Sequence, residues 1–171
     1  TRTVVLEQGG TGWYKIQSIF SWVRMWGGPV ALAYAVQGAI TLTVAVALAW
    51  LWRLRVPFAL QAAALLIGTV LATPYSLDYD LMLLAPAIAL LAADGLQRGF
   101  GPYQKTLLAL LWIVPLIARS VAEATLIPLA VPAMLTAFAY LLHRAVMDNG
   151  GQWRAKPLAF AGKNHKITAM E

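Results

Sequence analysis

Residues 30 to 52 read VALAYAVQGAITLTVAVALAWLW, twenty-three consecutive positions without a charge. A helix rises ~1.5 Å per residue and the hydrocarbon core is ~30 Å thick, so this stretch is long enough to cross a bilayer with some tilt. Its only strongly polar side chains besides threonine and tyrosine belong to Gln37 and the tryptophan indoles at its end. Gln37 and Thr41 are four apart, hence on one face, and are expected to bond a neighbouring helix. Arg53 and Arg55 end the segment and Pro57 opens the next one.

The rest of the chain fits the class that this stretch sets. Of 171 residues 60% are hydrophobic and 12% charged, with a mean hydropathy of +0.68. Soluble domains carry about a quarter charged residues, so the composition is that of an integral membrane protein. The net charge is +6, but the basic residues lie at the ends of apolar runs, which is a topology signal and excludes a nucleic-acid footprint. Cysteine is absent, which removes disulfides, thiolate chemistry and Cys-ligated metals. Two histidines, His143 and His165, are too few and too far apart for a His-based zinc site.

Upstream of Val30, residues 1–29 read as an outer loop followed by an interfacial helix. Thr1–Gly12 is polar and Gly-rich at its end, a loop pattern. Trp13–Trp26 has roughly helical apolar spacing but only fourteen residues. That is too short to span and predicts an interfacial helix with Trp13, Trp22 and Trp26 at headgroup level, or one packed on further protein. The chain begins with Thr1 and carries no signal-peptide pattern, so a fragment lacking earlier membrane segments is expected.

Downstream, further spans are predicted near 58–73, 81–97, 106–118 and 124–142, making five in an all-α transmembrane bundle. Pro86 is expected to kink the third span, while Pro115, Pro128 and Pro132 are tolerable where neighbouring helices satisfy freed carbonyls. Arg119 and Glu123 fall in the connection before the last span, four apart and able to pair. The polar, basic stretch 144–171 predicts a disordered cytoplasmic tail. Nine basic residues (Arg53, Arg55, Arg98, Lys105, Arg144, Arg154, Lys156, Lys163 and Lys166) fall on one side of this topology. Four (Arg2, Lys15, Arg24 and Arg119) fall on the other, so the first side is expected to be cytoplasmic.

Between the second and third spans lies Thr73-Pro74-Tyr75-Ser76-Leu77-Asp78-Tyr79-Asp80, with two of the chain's seven acids. Pro74 stops the incoming helix, and Asp78 or Asp80 can cap the outgoing one. Two carboxylates and two phenols at a membrane surface can also bind a polar substrate or a divalent cation. Carboxylates two apart point to different sides of a helix, so a shared site requires a non-helical turn. No Walker, Rossmann or nucleophile-elbow pattern occurs.

The stretch WYKIQSIFSWVRMWGGPVALAYAVQ (13–37), followed by LATPYSLDYDLMLLAPAIALLA (71–92), resembles the C-terminal half of glycosyltransferase family 87, the polytopic mannosyltransferase-like membrane proteins. The likeness covers roughly residues 13–144, and Pro-Tyr-x-x-x-Tyr-Asp-Leu is its most distinctive part. It implies a C-type glycosyltransferase fold that takes a hexose, mannose above all, from a polyprenyl-phosphate donor. The acceptor would be a glycan or lipid on the non-cytoplasmic face of a bacterial cytoplasmic membrane. The catalytic Asp of such enzymes is expected in a first outer loop, which would precede Thr1; this chain alone is therefore expected to be inactive. Tyr75, Tyr79 and Asp80 match the family block. Lys15, Arg24 and Arg119 are outward cations able to meet a lipid phosphate, and Asp78 and Asp80 can bind sugar hydroxyls or a divalent ion. The bland reading of each is a snorkelling cation or a helix cap. The competing class is a non-enzymatic membrane module, part of a transporter or assembly scaffold; a transporter should carry ionisable groups mid-span.

Overall fold

The structure, a computed structural model, describes residues 12–150. Those residues form six α-helices and two 3-10 segments and contain no strand beyond one isolated bridge. Four helical segments are long and apolar enough to cross a membrane, and a fifth apolar helix is shorter. The polytopic bundle expected from the sequence is present.

The expected interfacial helix is not continuous. A 3-10 turn, Trp13–Lys15, leads into extended residues and then into α1, Ile19–Met25. The break has a local cause: Ser18 caps α1, its hydroxyl accepting from Ser21 N–H at 3.2 Å, which requires extended backbone at Ser18. Gly27 turns the chain with φ +80°, a conformation that favours glycine, and Pro29 precedes α2, Val30–Leu51. α2 lies at the edge of the bundle and buries only Ala33, Gln37, Val44 and Leu51.

α3, Phe58–Ala72, is the centre. It packs against α2, α4 and α6 and buries Leu60, Ala63, Ala64, Ile67, Gly68, Val70 and Leu71. Gly68 is where three helices meet, since an added Cβ would lie 3.0 Å from Val44 and Leu48 and 3.3 Å from Phe138. A 15-residue helix is about 22 Å long at ~1.5 Å per residue, shorter than the ~30 Å hydrocarbon core. Its final carbonyls, which have no partner within the helix, must therefore find one in protein. Gln37 Nε2 donates to Leu71 O at 3.0 Å and Thr41 Oγ1 donates to Ala72 O at 2.9 Å.

The third span starts as a 3-10 helix, Asp78–Leu83, and continues as α4, Leu84–Arg98. Pro86 lies inside this continuous helical span, just past the point where the 3-10 helix gives way to α4. The predicted break at 118 is absent, because α5 runs unbroken over Gln104–Thr125 through Pro115, Arg119 and Glu123. Buried Gln104, Leu107, Leu111, Val114, Ala118 and Ala122 recur every three or four residues and hold α5 on the core past its polar end. α6, Ala130–Asn149, carries Pro132 in its first turn and extends beyond the expected end at 142. Arg144 is thus not a tail residue: it is 2% exposed within a helix. Residues 145–149 of the expected tail are likewise helical, and residues 151–171 and the loop 1–11 lie outside the described residues.

Candidate functional site

The Thr73–Asp80 segment and the chain before α1 are paired with each other. Ile16 and Leu77 form an antiparallel bridge, Gln17 N–H donates to Ser76 O at 2.7 Å, and Ser18 Oγ donates to Pro74 O at 2.8 Å. Gln37 closes the junction from α2, its Oε1 accepting Phe20 N–H at 3.1 Å. Beneath lies a small core of Ile16, Phe20 and Ala33, against which Trp13, Tyr34, Tyr75 and Leu77 pack. Non-helical backbone near a membrane interior is tolerable only where protein supplies its hydrogen bonds, and this polar seam supplies them.

The seam also sets where the next helix begins. The Asp80 carboxylate accepts Leu77 N–H at 2.8 Å and its own N–H donates to Leu77 O at 2.9 Å, so Asp80 starts the 3-10 helix. Asp78 turns elsewhere and pairs with Arg119 of α5 at 3.9 Å, both partly exposed. Asp80 thus takes the capping role read from the sequence, while Asp78 lies in an ion pair that neither sequence reading gave. Lys15 is near enough to act on Asp78 electrostatically, and both Lys15 Nζ and the Arg119 guanidinium lie by the Tyr14 ring, at 5.6 and 5.9 Å. Asp78 also borders a groove of about 230 Å³ between the 3-10 helix, α4 and α5, lined otherwise by apolar side chains including Leu81, Ile88, Trp112 and Pro115.

Of the expected site residues, Lys15, Asp78 and Arg119 come together around Tyr14. Arg24 stacks 4.7 Å from the Trp13 ring and donates to Gly28 O at 2.8 Å. Tyr75 packs into the small core, and Tyr79 is 64% exposed. The Arg119–Glu123 pairing is replaced by Arg119–Asp78. No group of three or more His, Asp or Glu that could hold a metal ion occurs among the described residues. Sequence reasoning missed Gln17, Ser18 and Ser76 as the seam that holds the loop; the Ser18-x-x-Ser21 capping pattern was its one local signal.

At the opposite end of the bundle, the last turns of α4 and α6 and the first of α5 share a second polar cluster. Arg144 pairs with Asp94 at 2.5 Å and donates to Gln104 Oε1 at 3.0 Å, with both ionic side chains under 5% exposed. Arg98 pairs with Asp94 and reaches Asp148 at 3.7 Å.

Comparisons with protein-family models, curated proteins and solved structures find no match for this chain.

Proposed function

We propose that this chain is part of a membrane glycosyltransferase that accepts a hexose, mannose above all, from a polyprenyl phosphate and passes it to a glycan or lipid acceptor. The observation that carries the reading is the seam. The two blocks that resemble family 87 are far apart in sequence, yet they pair residue to residue and hold Asp78 beside Lys15 and Arg119. In such a transfer the bond from the sugar's anomeric carbon to phosphate oxygen breaks while one to the acceptor oxygen forms. The phosphate leaves with increased negative charge, which Lys15 and Arg119 are suited to offset. The apolar groove beside Asp78 suits a prenyl chain entering from lipid. The acceptor's proton needs a base, and no residue here is assigned that role.

The protein then belongs in a bacterial cytoplasmic membrane with the seam facing outward. Discounting the buried Arg144, eight basic residues remain at the other side against four. A non-enzymatic module of a transporter or scaffold is the second reading; the buried Asp94–Arg144 pair fits the scaffold form, since it ties helices together near their ends and not mid-span.

A photoreactive polyprenyl phosphate added to membranes containing the full chain separates these readings. Labelling should map to α4 or α5 near Trp112 and fall at least severalfold in Lys15→Gln/Arg119→Gln, but not in Arg53→Gln. Labelling that ordinary phospholipid competes equally well, or that ignores the double substitution, would contradict the donor-site reading.

A further inference from the structure

The charged cluster of α4, α5 and α6 contains two complete ways to pair its ions. Asp94 and Arg98 are four apart on α4, and Arg144 and Asp148 are four apart on α6. Each helix therefore carries an acid and a base at the spacing that places them side by side. In the structure only α4 uses its own pair: Arg98 Nε donates to Asp94 Oδ1 at 2.7 Å. Arg144 crosses to α4 and to Gln104 instead.

That choice leaves Asp148 poorly served. Its side chain is 7% exposed, neither carboxylate oxygen has a hydrogen bond, and its ion pair with Arg98 is long at 3.7 Å. It also stands in the last turn of α6, where the helix dipole disfavours a carboxylate. Arg144 is already near enough to act on it electrostatically. A rotamer change would bring the guanidinium to Asp148 while Asp94 keeps Arg98. Both acids would then be paired, each within its own helix, and no charge would be stranded.

We propose that this cluster is a two-state clamp: Arg144 on Asp94 and Gln104 ties the α4–α5 turn to α6, and Arg144 on Asp148 releases it. The turn is built to move as a unit. Gln104 Oε1 accepts Gly101 N–H at 2.9 Å and its Nε2 donates to Leu91 O at 3.0 Å, so the α4–α5 connection holds together without Arg144. α4 and α6 each pack on α3 and α5, and the Asp94–Arg144 pair joins them directly. The released state opens the bundle at the end away from the seam. It stands apart from the proposed sugar transfer and holds or fails independently of it.

The test is a distance measurement by pulsed electron resonance on the full chain in lipid nanodiscs, with spin labels on Leu96→Cys and Val146→Cys. Both positions are exposed, at 67% and 50%, and the chain has no native cysteine. The unaltered cluster should give two distances. Asp148→Asn, which removes the alternative acceptor, should leave only the shorter one; Asp94→Asn should leave only the longer. The two substitutions thus act in opposite directions, which general loosening of the fold cannot mimic. One distance unchanged by either substitution, or the same shift from both, would overturn the proposal.

Discussion

The two ends of this bundle solve the same problem with different chemistry. At the seam, neutral groups hold irregular backbone in place: Ser18 on Pro74, Gln17 on Ser76, Gln37 on Leu71 and Phe20. At the other end, full charges buried to under 5% exposure tie helix ends together. Neutral bonds cost little to desolvate and can each be lost without stranding a charge, whereas a buried ion depends on its partner. The charges at the seam end, Lys15, Asp78 and Arg119, are partly open to solvent, as the proposed donor site requires. At the far end the ions are committed to one another.

This contrast predicts an order of damage. Arg144→Met should be the most disruptive single change, costing about 3–5 kcal/mol, because it leaves the two buried acids Asp94 and Asp148 with Arg98 alone between them. Unfolding of the detergent-solubilised protein measures it, and adding Asp94→Asn should recover much of the loss. A cost no larger than that of a surface substitution would remove the distinction between the ends.

Gln37→Leu should come next, at about 1–3 kcal/mol, since Phe20 N–H and Leu71 O both lose a partner away from water. The same unfolding measurement applies. Ser18→Ala should cost about 1 kcal/mol as a lost helix cap. It should also raise hydrogen exchange in residues 75–77, because Pro74 O loses its donor. Asp78→Asn should change stability by less than about 1 kcal/mol, the range of partly exposed ion pairs. A larger effect would mean that Asp78 is structural and not held for a ligand.

The fold is largely legible in the sequence because hydrophobic length alone specifies a span: the uncharged run Val30–Trp52 matches α2 to within a residue. The ends of spans are not, for physical reasons. Arg119 and Arg144 look like loop cations in one dimension. What keeps them helical is α5's buried row from Gln104 to Ala122 and the reach of Arg144 to an acid fifty residues away. Pro132 falls in the first turn of α6, where a missing N–H is tolerated, a register that composition does not reveal. At the candidate site, Asp78 and Asp80 are both visible in the sequence, but only the turn geometry separates cap from cluster. Gln37, expected to bond a neighbouring helix from its spacing to Thr41, does so at the end of α3. Its second partner, Phe20 N–H, depends on where α1 begins, which only the Ser18-x-x-Ser21 cap signals locally.

In the proposed topology the seam and the charged cluster lie on opposite sides of a membrane, separated by α4. Ser76 is fully buried, so a cysteine there would be silent; Tyr79 and Tyr103, 64% and 83% exposed, bracket α4 and are open to reagent. Single Tyr79→Cys and Tyr103→Cys proteins in intact bacterial cells, treated with a membrane-impermeant thiol reagent, give the most direct reading. Tyr79→Cys should label in intact cells and Tyr103→Cys only after lysis. Labelling of both in intact cells, or of neither until lysis, would contradict that topology.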